Sequence, residues 1–210
     1  MIVGSISENV NQEKRIAITP DIIKKYKSLG LEVYLSKDYA LHLGIDDKEY
    51  EKEGAKFFSS DEVISNSNAL LQMNIPNDEN LNKLKKDQFL IGVLNPYLNE
   101  KKIKEVIKKN INCFSLELLP RITRAQSMDI LSSQANLAGY KAVVDSFAYF
   151  QKAIPMMMTA AGTISAAKVL VVGAGVAGLQ AIATAKRMGA IVFATDVRIA
   201  SKERVESLGG

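Results

Sequence analysis

The chain has 210 residues, of which 47% are hydrophobic and 24% charged, and its net charge is +4 at pH 7. This composition is typical of a soluble globular protein with a buried core, and the lysines are scattered rather than clustered, which argues against nucleic-acid binding. The single cysteine, Cys113, excludes a disulfide framework and favours a reducing compartment. We expect it to be a small buried hydrophobic residue, and we expect neither a secretory signal nor a metal site.

Residues 1–124 are predicted to form an α/β domain, because short β-branched or aromatic runs alternate with polar, lysine-rich segments. The first repeat is a strand over 2–6, a helix and a strand over 31–35. Thr19-Pro20-Asp21 is expected to cap and start this helix, and Gly30 to end it. Further strands are predicted over 69–73, 89–94 and 111–118, with helices near 60–67 and 99–109.

The texture of the sequence changes after Pro120. Good helix formers without proline over 125–150 predict a long connecting helix, which together with a linker occupies 125–164. A strand over 168–172, a helix over 176–188, a strand over 191–195 and one more short helix predict the start of a second domain over 165–210. The predicted fold is thus α/β, with two Rossmann-like parallel-sheet domains joined by a long helix. A doubly wound sheet needs more strands than these, so we expect a fragment of a longer polypeptide.

The most specific motif is Gly173-Ala-Gly-Val-Ala-Gly178, a Gly-x-Gly-x-x-Gly turn between an apolar strand and a helix. In dinucleotide-binding domains Gly173 allows the tight turn, Gly175 lets the backbone approach the pyrophosphate, and Gly178 lets helix and strand pack closely. The N–H groups at the start of the helix then face the phosphates. A glycine turn without a ligand is the alternative. The apolar run around this motif is shorter than the ~20 residues of a bilayer span, so we expect no transmembrane segment.

Asp196 follows the next predicted strand, where its carboxylate can accept both hydroxyls of an adenosine ribose and would repel a 2′-phosphate. This favours NAD over NADP. Arg198 leaves NADP open, because a nearby arginine can accept the phosphate.

A second polar segment begins at Pro120. Arg121 could pair with Asp129 and hold a loop in shape, while Gln126 and Ser132 could hydrogen-bond a carboxamide or a ribose. The alternative is an N-capped surface helix with a local ion pair, and the residues alone do not decide between the two.

Three runs, 121–144, 155–163 and 169–210, together resemble the NAD(H)-binding alpha component of proton-translocating NAD(P) transhydrogenases. Glu13-Lys-Arg-Ile-Ala-Ile-Thr-Pro20 fits the wider alanine dehydrogenase and transhydrogenase superfamily. The resemblance implies that a loop carrying Arg121, Gln126, Asp129 and Ser132 lies beside the nicotinamide and serves catalysis. The other cofactor-binding positions that it implies are Ser127, Met128, Ile130, Val176, Thr195, Val197 and, with Asp196, Arg198.

The same resemblance implies direct hydride transfer from NADH to NADP⁺ bound on a partner component, coupled to proton translocation by a membrane component. It also implies a homodimer that lies peripherally on the cytoplasmic face of the inner membrane. NADP(H) is expected on the partner and not on this chain. The alternatives are an NAD-dependent alanine dehydrogenase and a non-catalytic NAD-binding remnant.

Alanine dehydrogenase chemistry needs a cationic clamp and a general acid or base. In that enzyme a lysine and a histidine occupy the positions of Asn74 and Asn95, and neither asparagine can titrate. Arg15 corresponds to a substrate-binding arginine, with a structural ion pair as the alternative, and His42 is expected to be a surface or packing residue. Hydride transfer between two nicotinamides needs no protein acid or base, which favours transhydrogenase.

Overall fold

The computed structural model describes residues 1–210 of the sequence. The chain is an α/β protein that divides into two compact units, Met1–Met128 and Asp129–Gly210. Each unit contains a parallel sheet with helices between its strands, which confirms the predicted fold class.

The first unit is built on six parallel strands. These are Ile2–Ser5 (β1), Glu32–Ser36 (β2), Lys56–Phe58 (β3), Ala69–Asn74 (β4), Phe89–Val93 (β5) and Asn112–Ser115 (β6). The helices between them are Pro20–Ser28 (α1), Asp47–Glu53 (α2), Ser60–Asn66 (α3), Asp78–Lys83 (α4) and Glu100–Lys108 (α5). The order across the sheet is β3-β2-β1-β4-β5-β6, so β1 is central and Val3 lies between Val33 and Ala69.

Two hydrophobic clusters cover this sheet. In β2, Leu35 belongs to one cluster while its neighbour Tyr34 packs against the other, and Leu70 and Leu71 of β4 divide in the same way. Because successive side chains of a strand point to opposite faces, the clusters lie on opposite sides of the sheet. Both faces are therefore buried, as a parallel sheet with crossover helices requires.

The sequence does not predict three short elements of this unit, α2, β3 and α4. The two helices each bury a single side chain, Tyr50 and Leu81, and therefore leave no apolar period to recognise. The predicted strand over 111–118 is too long, since β6 ends at Ser115 and Leu116–Leu118 form a 3₁₀ turn.

The start of α1 corrects a second expectation. Thr19 occupies the N-cap position, but its side chain makes no capping hydrogen bond. Pro20 at the first helical position already has the required φ and lacks the N–H that would need a partner, so the helix starts without the hydroxyl.

The second unit contains one long helix, a hairpin and a strand–helix–strand repeat. Its elements are Ile130–Tyr149 (α6), Met157–Thr159 (β7), Gly162–Ile164 (β8), Lys168–Val172 (β9), Val176–Arg187 (α7), Ile191–Thr195 (β10) and Lys202–Ser207 (α8). β9 and β10 are parallel, as predicted, whereas β7 and β8 form an antiparallel hairpin that the sequence does not predict. All residues of the hairpin strands are exposed, so the sequence has no alternation there.

The predicted helix over 125–150 begins later than expected. Thr123–Met128 form a 3₁₀ turn, and α6 starts at Ile130, where the Asp129 side chain accepts a hydrogen bond from the Ser132 N–H. A carboxylate at the N-cap fixes a helix start more firmly than residue propensity does. None of the helices combines the length and the apolarity required to cross a lipid bilayer.

The helices α6 and α7 cross at a glycine. A Cβ on Gly139 would lie 2.1 Å from the carbonyl oxygen of Ala177, so the helix backbones meet directly there. Val143 of α6 and Ile182 and Ala185 of α7 form the core around this crossing. The unit thus depends on one residue without a side chain.

The β9–β10 sheet is covered on one face only. Val169, Val171 and Val192 pack into the core with α7, whereas Leu170 and Val172 on the opposite face are 66% and 79% exposed. A groove of about 430 Å³ runs beside β9 and the second half of α6.

Tyr39 joins three segments of the first unit through its hydroxyl. The hydroxyl accepts hydrogen bonds from the Ala17 and Ile18 N–H groups at 3.0 and 3.1 Å. Ser5 donates its own proton to the Leu71 carbonyl at 2.7 Å, so Ser5 Oγ accepts from Tyr39. Burial raises the pKa of Tyr39, and the phenol stays protonated at neutral pH.

We expect Tyr39→Phe to lower the free energy of unfolding by about 2 kcal/mol, because it leaves buried N–H groups unsatisfied. Tyr50→Phe is the matched control, since Tyr50 is equally buried and packs edge-on against Tyr39, but it makes a single bond to the Ile18 carbonyl. Its loss should cost about 1 kcal/mol. Equilibrium urea unfolding followed by circular dichroism gives both values, and equal losses would contradict the assigned role of Tyr39.

Gly139→Ala should destabilise the second unit by about 1–3 kcal/mol, because overpacking at the helix crossing outweighs the better helix propensity of alanine. Asn136→Ala, at an exposed position of the same helix, gains propensity without a clash and should be neutral or stabilising. Thermal unfolding of both variants tests the difference. A Gly139→Ala protein as stable as the unchanged chain would show that α6 can shift away from α7.

Candidate functional site

The glycine turn lies between β9 and α7, and two of its glycines are required by the fold. Gly173 has φ of +96°, which disfavours any side chain, and its N–H donates to the Thr195 carbonyl at 2.7 Å. A Cβ on Gly178 would lie 1.7 Å from the Gly173 carbonyl oxygen. These residues let the first turn of α7 fold back against the end of β9, as the sequence predicts.

Gly175 has a different environment. Its φ is −78°, open to any residue, and an added Cβ would have nothing within 4 Å. Neither backbone conformation nor packing within the chain therefore requires glycine here. The open space lies at the N-cap of α7, where no side chain caps the helix N–H groups. An anion with two phosphates fits such a position, because a helix N-terminus carries free donors and partial positive charge.

Asp196 follows β10 and is held in place by four hydrogen bonds. One carboxylate oxygen accepts from the Ala174 N–H at 2.7 Å and from Arg198 Nη2 at 3.0 Å. The other accepts from the Arg198 N–H at 2.8 Å and from Arg198 Nε at 3.0 Å. The Asp196 side chain is only 9% exposed, while that of Arg198 is 60% exposed.

These donors also fix the charge of Asp196. The hydrogen bonds from the Arg198 side chain, then those from the backbone N–H groups of Arg198 and Ala174, hold the pKa of the carboxyl well below its usual range. Asp196 is therefore a carboxylate at any pH near neutrality. A carboxylate can accept from ribose hydroxyls and would repel a 2′-phosphate.

The remaining predicted residues around the turn are accessible. Val176 at the start of α7 is 45% exposed, and Val197 is fully exposed. The Thr195 carbonyl receives the Gly173 N–H and so connects β10 to the turn. These positions offer backbone and apolar surface rather than charged groups.

The other predicted loop begins in the first unit. Arg121, Gln126, Ser127 and Met128 are exposed on or beside the 3₁₀ turn, and the buried side chain of Ala125 anchors that turn. The exposed side chains leave a cation, an amide and a hydroxyl facing solvent. No buried contact in this unit accounts for their presence.

Asp129, Ile130 and Ser132 begin α6 in the second unit. The Asp129 carboxylate accepts from the Ser132 N–H at 2.9 Å and from the Ser132 hydroxyl at 2.7 Å. These bonds correspond to the N-capped helix that the sequence left open, and they give Asp129 a role other than the suggested pairing with Arg121. The cap also orients Ser132 and Asp129 toward each other.

Arg15 and Asn74 meet at Glu13. Arg15 Nη2 lies 2.6 Å and Asn74 Nδ2 3.2 Å from Glu13 Oε2. The hydrogen bond from Arg15 is the main reason that the pKa of Glu13 falls to about 2. The structural ion pair expected as the alternative for Arg15 is therefore present.

The other two residues considered for acid or base chemistry have structural contacts. The Asn95 N–H donates to the Glu117 carboxylate at 2.6 Å, and Asn95 adopts a positive φ in the turn after β5. His42 is exposed, and its Nε2 lies 2.8 Å from the Lys14 carbonyl oxygen. Cys113 is half-buried rather than fully buried, and burial raises the pKa of its thiol.

Ala174 is the residue at this site that sequence reasoning missed. Its backbone N–H holds the Asp196 carboxylate against the glycine turn. Any residue except proline could donate this bond, so the identity of residue 174 carries no signal. Only the distance between the two chain segments reveals it.

Two family models match the chain. The model described as "Alanine dehydrogenase/PNT, N-terminal domain" matches residues 4–138, and "Alanine dehydrogenase/PNT, C-terminal domain" matches residues 142–210. Together they account for nearly all of the sequence.

Individual relatives agree with these models. The chain is 48% identical to the first of the parts that form NAD(P) transhydrogenase subunit alpha in Rickettsia prowazekii, over all of this chain and 56% of the relative. It is 46% identical to the Rhodospirillum rubrum protein of the same name, over 94% of this chain and 53% of the relative. It thus spans about half the length of these curated relatives.

A solved structure agrees with the sequence relatives. The transhydrogenase from Sinorhizobium meliloti has a TM-score of 0.96 and 47% identity, over all of this chain and 63% of that one. The predicted resemblance to transhydrogenase alpha subunits is confirmed by these likenesses. The chain belongs to the alanine dehydrogenase/PNT family.

Proposed function

We propose that this chain is the NAD(H)-binding part of a proton-translocating NAD(P) transhydrogenase and that the glycine turn holds the cofactor. Gly175 is the observation that carries the proposal. The fold itself requires Gly173 and Gly178, but only an approaching ligand explains a glycine with empty space around it. The pyrophosphate would lie at the uncapped start of α7, with its charge on the helix N–H groups.

Asp196 supports NAD(H) rather than NADP(H). Its carboxylate is ionised and belongs to the same turn, because the Ala174 N–H holds it there. The ribose hydroxyls would donate to it, whereas a 2′-phosphate would meet a like charge. Thr195, Val197 and Val176 would border the adenosine and pyrophosphate through backbone and apolar contacts.

Arg121, Gln126, Asp129 and Ser132 are the proposed residues around the nicotinamide, with Ser127, Met128 and Ile130 contributing backbone contacts. The capping bonds between Asp129 and Ser132 support an orienting role, because they restrict both side chains before any ligand binds. The exposure of Gln126 leaves its amide available to a carboxamide.

Transhydrogenation rather than alanine oxidation is favoured by the groups around Glu13. Oxidation of an amino acid requires a cation for the substrate carboxylate and a group that exchanges protons. Here Arg15 is bound to Glu13, and Asn74 supplies an amide that cannot titrate. Direct transfer between two nicotinamides needs only two held rings and the exclusion of water.

In this proposal NADP(H) binds a partner component and a membrane component carries the protons. The chain acts as part of a homodimer attached peripherally to the cytoplasmic face of the inner membrane. NADH would give its hydride to NADP⁺ without a covalent enzyme intermediate.

A transfer assay tests the activity. The full protein, mixed with the NADP(H)-binding component of a related transhydrogenase, should reduce a thio-analogue of NADP⁺ with NADH. Absorbance of the reduced analogue reports the rate. NADH formation from L-alanine and NAD⁺ by this protein alone would contradict the proposal and favour alanine dehydrogenase, while tight NADH binding without transfer would indicate a non-catalytic remnant.

A pair of glycine substitutions separates ligand binding from folding. Gly175→Ala should leave thermal stability unchanged but weaken NADH binding about tenfold or more, because the methyl group occupies the space meant for the pyrophosphate. Gly178→Ala is the matched control and should lower stability directly, since its Cβ collides with the Gly173 carbonyl. Fluorescence titration with NADH and thermal unfolding measure the two effects, and unchanged affinity in Gly175→Ala would remove the turn from the site.

A further inference from the structure

We infer that the Arg198 guanidinium occupies the ribose-binding face of Asp196 and is displaced when NAD(H) binds, which makes Arg198 a residue that determines cofactor affinity and specificity. The inference rests on the proposed function, because it concerns the same carboxylate. It goes further in assigning a competitor to the cofactor within the chain itself.

Asp196 has a limited number of acceptor positions. A carboxylate has about four lone-pair positions in its plane. All four are used, two by backbone N–H groups and two by the side-chain Nε and Nη2 of Arg198. Two ribose hydroxyls therefore find no acceptor position until donors leave.

The four donors differ in how easily they can leave. The Ala174 N–H belongs to the turn whose geometry Gly173 and Gly178 fix, and the Arg198 N–H is part of the chain directly after Asp196. The guanidinium ends a flexible side chain that is 60% exposed. It can move into water at low cost, since ion pairs of exposed groups contribute little to stability. Its two N–H donors equal the number of hydroxyls that replace them.

The displaced guanidinium also affects the phosphate that distinguishes NADP(H). Once it leaves Asp196, it remains tethered two residues away and keeps its positive charge. It would attract a 2′-phosphate at the position where the carboxylate repels one. Arg198 therefore lowers affinity for NADH and lessens discrimination against NADPH.

Substitution of Arg198 tests both effects. Arg198→Ala should bind NADH about two- to fivefold more tightly, which corresponds to the loss of a partly exposed ion pair, and should bind NADPH no more tightly. The ratio of NADPH to NADH dissociation constants should therefore rise. Arg198→Lys should bind NADH more tightly than the unchanged chain, since an ammonium lacks the forked geometry, yet retain more NADPH affinity than Arg198→Ala.

Salt and a second substitution add readouts that a merely structural role would not change. High salt should narrow the difference in NADH affinity between Arg198→Ala and the unchanged chain, because it screens the competing pair. In an Asp196→Ala background, Arg198→Ala should no longer improve NADH binding. Fluorescence titrations of the full chain, with circular dichroism to verify folding, give these values.

The outcomes distinguish this inference from the function beneath it. NADH binding that weakens or stays unchanged in Arg198→Ala, while Asp196→Ala loses the preference for NADH, would overturn the competitor role and leave the proposed function intact. Failure of the unchanged chain to bind NADH would overturn both.

Discussion

The first turn of α7 is held by backbone contact on two sides, and the candidate site depends on that constraint. On one side Gly178 lies against the carbonyl of Gly173, and on the other Gly139 of α6 lies against the carbonyl of Ala177. Because no side chains intervene at either contact, the helix start has little freedom to move. Its N–H groups are therefore fixed in direction before any ligand arrives, which reduces the ordering cost of binding.

The same constraint explains why the site contains so few charged groups. A glycine turn, a helix terminus and one carboxylate suffice to recognise a dinucleotide, because most of the recognition comes from backbone donors. The polar residues at the start of α6 and before it add orientation rather than acid or base chemistry. This division agrees with a reaction in which the cofactors supply the reactivity and the protein supplies position.

The sequence predicts those elements of this molecule that repeat a physical pattern over several residues. The apolar runs of β1, β4 and β5 and the turn at Gly173 are predictable because burial and backbone conformation restrict residue type there. The hairpin of β7 and β8 is not, since its strands are exposed on both faces and burial imposes no alternation. At the site, Asp196 can be identified from the sequence, but its bonds to Arg198 depend on a rotamer and not on composition.

The order of strands in the first unit has a consequence for how the protein is made. β1 lies at the centre of the sheet, yet both of its neighbours, β2 and β4, follow it in the chain. During translation the central strand must remain unpaired on one side until the residues of β4 have left the ribosome. Closing that loop costs entropy before any contact repays it, so assembly of the sheet waits for its fourth strand.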